Sequence, residues 1–73
     1  MSKRMFIKDF YGRIKGSIDI DQKTGNQTAK NFSGVILGFY DKKRNITKAF
    51  SGKILAEGNI LSSLILEDTN KGN

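Results

Sequence analysis

Side chains alternate strictly over residues 13–20: Ile14, Gly16, Ile18 and Ile20 are apolar or small, and polar residues stand between them. A period of two residues is typical of a β-strand with one buried face. Similar short runs, rich in β-branched and aromatic residues, recur along the chain between polar stretches. The pattern predicts an all-β fold, an antiparallel meander of about six or seven short strands. These strands are predicted near residues 4–8, 13–20, 27–31, 35–41, 46–49 and 53–57.

Two apolar segments do not alternate. Residues 35–40 are apolar on both sides of the strand, so this strand needs cover on both faces or a partner chain. Residues 59–66 fit either a short C-terminal helix capped by Asn59 or a seventh strand, and the strand is preferred. We expect these segments to mediate self-association in a homodimer. The candidate self-association residues are Val35, Leu37, Phe39, Ile60 and Leu64.

A nine-residue pattern, K-x-F-[YS]-G-x-I-x-[GA], occurs three times, beginning at Lys8, Lys30 and Lys48. In the first two copies Asp or Asn stands second and Gly fifth, which favours a type I turn followed by a left-handed glycine. The repeat predicts three strand–turn–strand units within one domain, residues 1–66, and a frayed polar tail after it. The units lie near residues 5–25, 26–44 and 45–66, and the tail covers residues 67–73.

In its F-[YS]-G-x-I segments the chain resembles uncharacterised β-flower-type small bacterial proteins, which repeat a strand–turn–strand element around a pseudo-symmetry axis. It is also similar to short proteins of clostridial and streptococcal mobile elements. The likeness covers about residues 5–60, and the segments that carry it are residues 10–14, 32–36 and 50–54. The chain departs from the β-flower pattern in having three units and Ala56 where Gly is expected. The resemblance implies a fold type and supplies no activity or site residue.

The 73-residue chain contains no His and no Cys. Their absence from the sequence removes disulfides and Ser-His, Cys-His and zinc chemistry. Carboxylates remain, but a short meander offers little room for a cleft in which they could act. We therefore expect no enzyme activity, no catalytic or metal-binding residue, no cofactor and no small-molecule substrate. Residues 19–25 are similar to a calcium loop, but Lys23 stands where an oxygen ligand is needed, so an ordinary turn is favoured.

Lys and Arg number 13 against seven Asp and Glu, and the whole excess of +6 lies in residues 1–44. The basic start of the chain has too short an apolar run for a signal peptide or a membrane span. A cytoplasmic location without a membrane partner is therefore expected. Clustered basic charge also allows contacts with nucleic-acid phosphates. The candidate nucleic-acid contacts are Lys8, Lys30, Lys42, Lys43, Arg44 and Lys48.

Each unit contains one phenylalanine at the same position, and this residue admits two interpretations. The three residues are Phe10, Phe32 and Phe50. They could stack on bases if exposed, or pack against one another as the core of the repeat. The second is preferred because a single repeat unit cannot bury its own apolar face. The sequence thus predicts a small non-enzymatic module for protein binding or self-assembly. The alternative is a basic nucleic-acid-binding accessory protein of a mobile element.

Overall fold

The computed structural model describes residues 2–68 and contains one six-stranded antiparallel sheet and one helix. Each strand pairs with the next along the chain, which confirms the predicted all-β meander. The elements are β1 (Ser2–Lys8), β2 (Ile14–Asp21), β3 (Gln27–Asn31), β4 (Ile36–Asp41), β5 (Ile46–Ala49), β6 (Ile54–Glu57) and α1 (Leu61–Asp68). Residues 67 and 68 belong to α1, and the rest of the predicted tail, residues 69–73, lies outside the described residues.

The segment after β6 forms the helix α1, so the preference for a seventh strand was wrong. The Asn59 side-chain oxygen accepts a hydrogen bond from the Leu61 N–H at 3.1 Å and caps the first turn. Leu61 and Ile65, four residues apart, lie on one side of the helix and are fully buried. As a helix, this segment packs both side chains against one face of the sheet. A seventh strand would have extended the edge of the sheet and left that face uncovered. No helix within residues 2–68 has the length and hydrophobicity needed to cross a membrane.

The core lies between α1 and one face of the sheet. Ile18 of β2, Ala29 of β3, Leu61 and Ile65 are buried together, and the helix packs over β1 to β4. An antiparallel sheet can leave its second face in water if polar side chains alternate with apolar ones there. The face opposite α1, which we call the open face, is not covered by a helix or a second sheet within the described residues.

Gly16 and Gly38 let the helix approach the sheet closely. A Cβ atom at Gly16 would lie 2.7 Å from the Ile65 Cγ2 atom, and one at Gly38 would lie 2.9 Å from the Leu64 Cδ1 atom. The third repeat unit has Ala56 at this position, on β6, beyond the strands over which α1 packs. A Cβ at Gly16 or Gly38 would lie even closer to the backbone carbonyl oxygen of Lys30 or Lys48 in the next strand, and β6 has no next strand within the described residues.

The hairpins β1–β2, β3–β4 and β5–β6 share one turn geometry. In each, the fifth residue of the nine-residue pattern donates its N–H to the carbonyl of the second at 2.9 to 3.0 Å. This fifth residue is always Gly, with φ between 80° and 97°, a conformation that other L residues rarely adopt. The register shifts by one residue beside each turn. Because the sheet is a meander, all three turns lie at the same end, which we call the tip end.

Thr47 of β5 joins the sheet to the segment that precedes the helix. Its side chain is fully buried. The hydroxyl donates a hydrogen bond to the Gly58 carbonyl at 2.6 Å and accepts one from the Ile60 N–H at 3.2 Å. One threonine thus satisfies two backbone groups at the point where the chain leaves β6 and turns back over the sheet.

Candidate functional site

Three phenylalanine rings project from the tip end of the sheet. Phe10, Phe32 and Phe50 are 95%, 77% and 67% exposed, so the expectation that they pack together as a core was wrong. Each ring stands in a turn, beyond the strand ends, and successive tips are two strand spacings apart, about 10 Å. The helix supplies the core instead.

Basic and apolar side chains are interleaved on the open face. Gly16 and Gly38 face the helix, so their neighbours Ser17 and Phe39 project from the opposite side. The strand register then defines two rows of open-face residues, Phe6–Ser17–Lys30–Ile36 and Arg4–Asp19–Thr28–Phe39–Lys48–Ile54. In each hairpin the first lysine of the pattern pairs across the strands with the isoleucine of the same unit. Long lysine stems can cover such apolar neighbours while the ammonium groups stay in water.

A shallow slot of about 400 Å³ lies on the open face near the tip end. Phe6 and Phe32 line it with largely exposed rings, and Arg4 and Lys30 bring positive charge to it. The other lining residues are Ile14, Gly16, Ser17, Asn31 and Gly34. We call this site the aromatic slot. A second depression of about 280 Å³ farther along the sheet is lined by Asn26, Gln27, Thr28, Phe39, Tyr40, Asp41 and Lys48.

Asp19 holds the two cations of the aromatic slot. Its Oδ1 atom accepts a hydrogen bond from the Arg4 Nε at 2.8 Å, and its Oδ2 atom lies 3.2 Å from the Lys30 Nζ. The hydrogen bond from Arg4 is the main reason that the pKa of Asp19 is lowered; desolvation opposes it and Lys30 reinforces it. The same bond raises the pKa of Arg4. Arg4 and Asp19 are therefore both charged at neutral pH, and with Lys30 the slot has two basic groups against one acidic group.

Asp9 orders the first hairpin tip. Its Oδ1 atom accepts the N–H groups of Tyr11 at 2.8 Å and Arg13 at 3.0 Å, and its Oδ2 atom pairs with Arg13 and Lys15. Desolvation raises the pKa of Asp9, but the backbone hydrogen bonds and nearby cations outweigh it, so this pKa is lowered. The Arg13 guanidinium lies 5.3 Å from the centre of the Tyr11 ring, a cation–π contact. This tip presents aromatic and cationic groups in a fixed arrangement.

The lowered pKa of Asp19 predicts a loss of stability in acid. Its contribution is fully present above the unfolded-state pKa of about 4 and is lost as the pH falls through the lower folded-state value. We expect Asp19→Asn to lower the free energy of unfolding at neutral pH, because the ion pairs with Arg4 and Lys30 are removed. The difference from the parent protein should shrink as the pH falls below about 4 and should vanish once Asp19 is protonated in both the folded and the unfolded state. Urea unfolding followed by circular dichroism measures it, and a difference that stays constant with pH would contradict the assignment.

The structure separates the predicted nucleic-acid contacts into two groups. Lys8, Lys30 and Lys48 lie near the tip end of the sheet. The cluster 42–44 lies in the β4–β5 turn at the opposite end of the sheet. Sequence reasoning did not single out Arg4 and Phe6. The available signal was the spacing of residues 4, 6 and 8, which places them on one face of a strand.

The predicted self-association residues lie on different surfaces. Leu37 and Leu64 pack against the core, and Ile60 is half-buried before the helix. Phe39 is half-buried on the open face, and Val35 is exposed in the turn before β4. The structure therefore does not bring these five side chains together, and self-association through them stays a prediction.

The calcium-like segment after β2 forms an ordinary turn. The Lys23 N–H donates to the Asp21 Oδ1 atom at 2.9 Å, and the Gly25 N–H donates to the Asp21 carbonyl at 2.6 Å. Asp19 is engaged by Arg4 and Lys30 rather than directed at this turn. Within the described residues, no group of three or more His, Cys, Asp or Glu could hold a metal ion.

Comparison of the chain with protein-family models, with curated proteins and with solved structures finds no match. The resemblance to β-flower-type proteins and the cytoplasmic location therefore stay predictions. Function is inferred from the open face, the aromatic slot and the tip end.

Proposed function

We propose that this protein is a non-enzymatic binding module that holds single-stranded nucleic acid on the open face of its sheet. The observation that carries the proposal is the aromatic slot, where the exposed rings of Phe6 and Phe32 stand beside Arg4 and Lys30. A base stacked on an exposed ring contributes about 1–3 kcal/mol. The cations can meet the phosphate that accompanies the base. The slot therefore offers a partner to both halves of a nucleotide.

The open face suits an unpaired strand better than a duplex. In a duplex the faces of the bases are already stacked, whereas unpaired bases are free to lie on aromatic side chains. Phe39 and Lys48 line the second depression, so the face continues beyond the slot. The net charge of +6 attracts a polyanion.

The lysines of the open face also favour nucleic acid over a protein partner. Lys30 pairs with the half-buried Ile36, and Lys48 lies between the half-buried Phe39 and the exposed Ile54 on the open face. The centre of a protein–protein interface is depleted in lysine because burying the ammonium group is costly. Phosphates would instead compensate these charges without removing them from water.

The proposal is tested by titrating the full chain into a labelled oligothymidylate strand and into a duplex of the same length, each at several salt concentrations. We expect tighter binding to the single strand. If three cations meet phosphates, the logarithm of the affinity should fall with the logarithm of the salt concentration with a slope of about −2. Absence of single-strand binding at low salt, or tighter binding to the duplex, would overturn the proposal. Binding only to vesicles that contain anionic lipids would point to a membrane surface instead.

Two pairs of variants locate the interface. Phe32→Ala should weaken single-strand binding about 5- to 150-fold, the equivalent of one lost stacking contact. Phe50→Ala removes the same ring from an equivalent turn outside the slot and should change little. Lys48→Gln should make the salt slope less negative by about 0.7, whereas Lys43→Gln, at the other end of the sheet, should leave it unchanged. If the two phenylalanine variants weaken binding equally, or the two lysine variants change the salt slope equally, the assigned site is contradicted.

A further inference from the structure

The turns at the two ends of the sheet differ in composition. At the tip end, the second residue of each turn is a phenylalanine with a largely exposed ring, namely Phe10, Phe32 and Phe50. At the opposite end, the β2–β3 and β4–β5 turns hold only polar residues and glycine, over residues 22–26 and 42–45. A β-turn accepts most residue types at its second position, so turn geometry does not by itself require a phenylalanine there.

The strand register places the three tips in one row. Ile7 of β1 is level with Asn31 across β2, and Ala29 of β3 is level with Ala49 across β4. Asn31 and Ala49 each begin a turn, so each turn is set back by two residues, about 7 Å, from the turn before it. Because the two steps are equal, the rings form a slanted row along one edge of the molecule and can meet one surface together.

Basic side chains lie behind this row of rings. The segments 8–15, 30–36 and 48–54, which contain the three turns and the strand ends beside them, hold six basic residues and one acidic residue. The acidic residue is Asp9, which pairs with Arg13 and Lys15, and Lys30 pairs with Asp19 of β2. The other basic residues, Lys8, Lys48 and Lys53, form no ion pair within the described residues. Positive charge therefore exceeds negative charge at the tip end.

We propose that the tip end is a second binding surface, which inserts its aromatic turns into the surface of a lipid bilayer that contains anionic lipids. Rings that enter the boundary between headgroups and acyl chains leave water, while the basic side chains behind them meet the anionic headgroups. The exposed Tyr11 suits the same depth, because its ring is apolar and its hydroxyl is polar. The expectation of no membrane partner followed from the lack of a long apolar run, and insertion of turns needs no such run.

Separate projecting rings fit a fluid surface better than they fit a protein partner. Neither of the two depressions of the open face includes Phe10 or Phe50, and the Phe10 ring meets the Tyr11 ring edge-on at 5.5 Å. A protein partner would need a matching pocket for each ring and would bury lysines, which the centres of protein interfaces avoid. Lipid chains close around each ring without a preformed pocket, and the headgroups leave the ammonium groups in contact with water.

The inference goes beyond nucleic-acid binding and does not depend on it. Phe32 belongs both to the tip end and to the aromatic slot, so it cannot separate the two proposals. Phe6 and Phe50 can. Phe6 lines the slot and projects from the open face, about 13 Å along the strand from Phe10, whereas Phe50 stands in a tip turn outside the slot.

Co-sedimentation of the full chain with lipid vesicles tests the proposal. We expect binding to vesicles of equal parts phosphatidylglycerol and phosphatidylcholine, weakened by added salt, and little binding to phosphatidylcholine alone. Phe50→Ala should weaken vesicle binding by about 10-fold or more, because one buried ring is lost, and Phe6→Ala should leave it unchanged. With labelled oligothymidylate the order should reverse, Phe6→Ala weakening binding and Phe50→Ala changing little. Failure of either proposal is therefore seen separately from failure of the other.

Tryptophan fluorescence locates the contact, because the chain contains no tryptophan of its own. With the anionic vesicles, the emission of Phe10→Trp and Phe50→Trp should move to shorter wavelength and be quenched by lipids brominated on their acyl chains. Lys43→Trp, in a turn at the opposite end, should show neither effect. All three positions are exposed, so circular dichroism should report an unchanged fold. Absence of binding to anionic vesicles at low salt, equal losses from Phe6→Ala and Phe50→Ala, or equal quenching at residues 43 and 50 would overturn the proposal.

Discussion

Ile65→Ala is expected to lower the free energy of unfolding by about 2–5 kcal/mol. The Ile65 side chain is fully buried between α1 and the sheet, and its Cγ2 atom lies over Gly16. Removing three carbon atoms there leaves a cavity. The helix already packs closely on the sheet, so neither element can move in to fill it. A single core in a chain of this size rarely supplies more than about 3–5 kcal/mol. Much of the variant should therefore be unfolded at room temperature.

Urea unfolding followed by circular dichroism measures this loss, with Leu66→Ala as the matched control. Leu66 is the next residue of the same helix but is exposed, so its truncation should cost far less. Replacing β-branched isoleucine with alanine raises helix propensity more than replacing leucine does, so propensity alone would make Ile65→Ala the less destabilising variant. Equal losses from the two variants would contradict the packing of Ile65 as described.

Thr47→Val is expected to destabilise the protein by about 1–3 kcal/mol, although it removes no volume. The Thr47 hydroxyl is the hydrogen-bond partner of both the Gly58 carbonyl and the Ile60 N–H. Valine has the same shape but can neither donate nor accept, so both backbone groups lose this partner in a buried setting. The effect should be visible as a lower urea midpoint with an unchanged slope.

Thr28→Val is the matched control for this substitution. Thr28 also lies on a strand, but it belongs to the open face, and its hydroxyl has no hydrogen bond among the described residues. The change there should be close to neutral, because valine favours strands as much as threonine does. A Thr47→Val variant as stable as Thr28→Val would show that the hydroxyl is not needed at the start of the last segment.

The positions of the strands followed from the sequence because a strand is a local pattern. The alternation over residues 13–20 and the polar stretches between runs gave all six strands to within two residues. The repeated glycine at the fifth position of the pattern gave the turns, because a left-handed φ strongly favours glycine. The helix was the harder prediction, because Leu61 and Ile65 fall on one side of either a helix or a strand. The bare face of the sheet, which no local pattern records, decided it.

The candidate site was predicted less completely. Lys8, Lys30 and Lys48 were identified from the repeat, and the structure places them near one end of the sheet. The cluster 42–44 lies at the other end, because successive turns of a meander alternate between the two ends of the sheet. The aromatic slot was missed, because it combines a residue of β1 with a turn residue that is 26 positions later in the chain, Phe6 and Phe32.

The sequence by itself determined the meander, the three equivalent turns and the excess of basic charge. Each of these depends on neighbours along the chain or on simple composition. Only the tertiary structure decided which face of the sheet is covered. One short helix is enough to bury one face, so Ile18 became core while Phe6 and Phe39 stayed on the open face. The same holds for the repeated phenylalanines. The sequence shows that they recur, but they are exposed because they stand in turns that α1 does not cover.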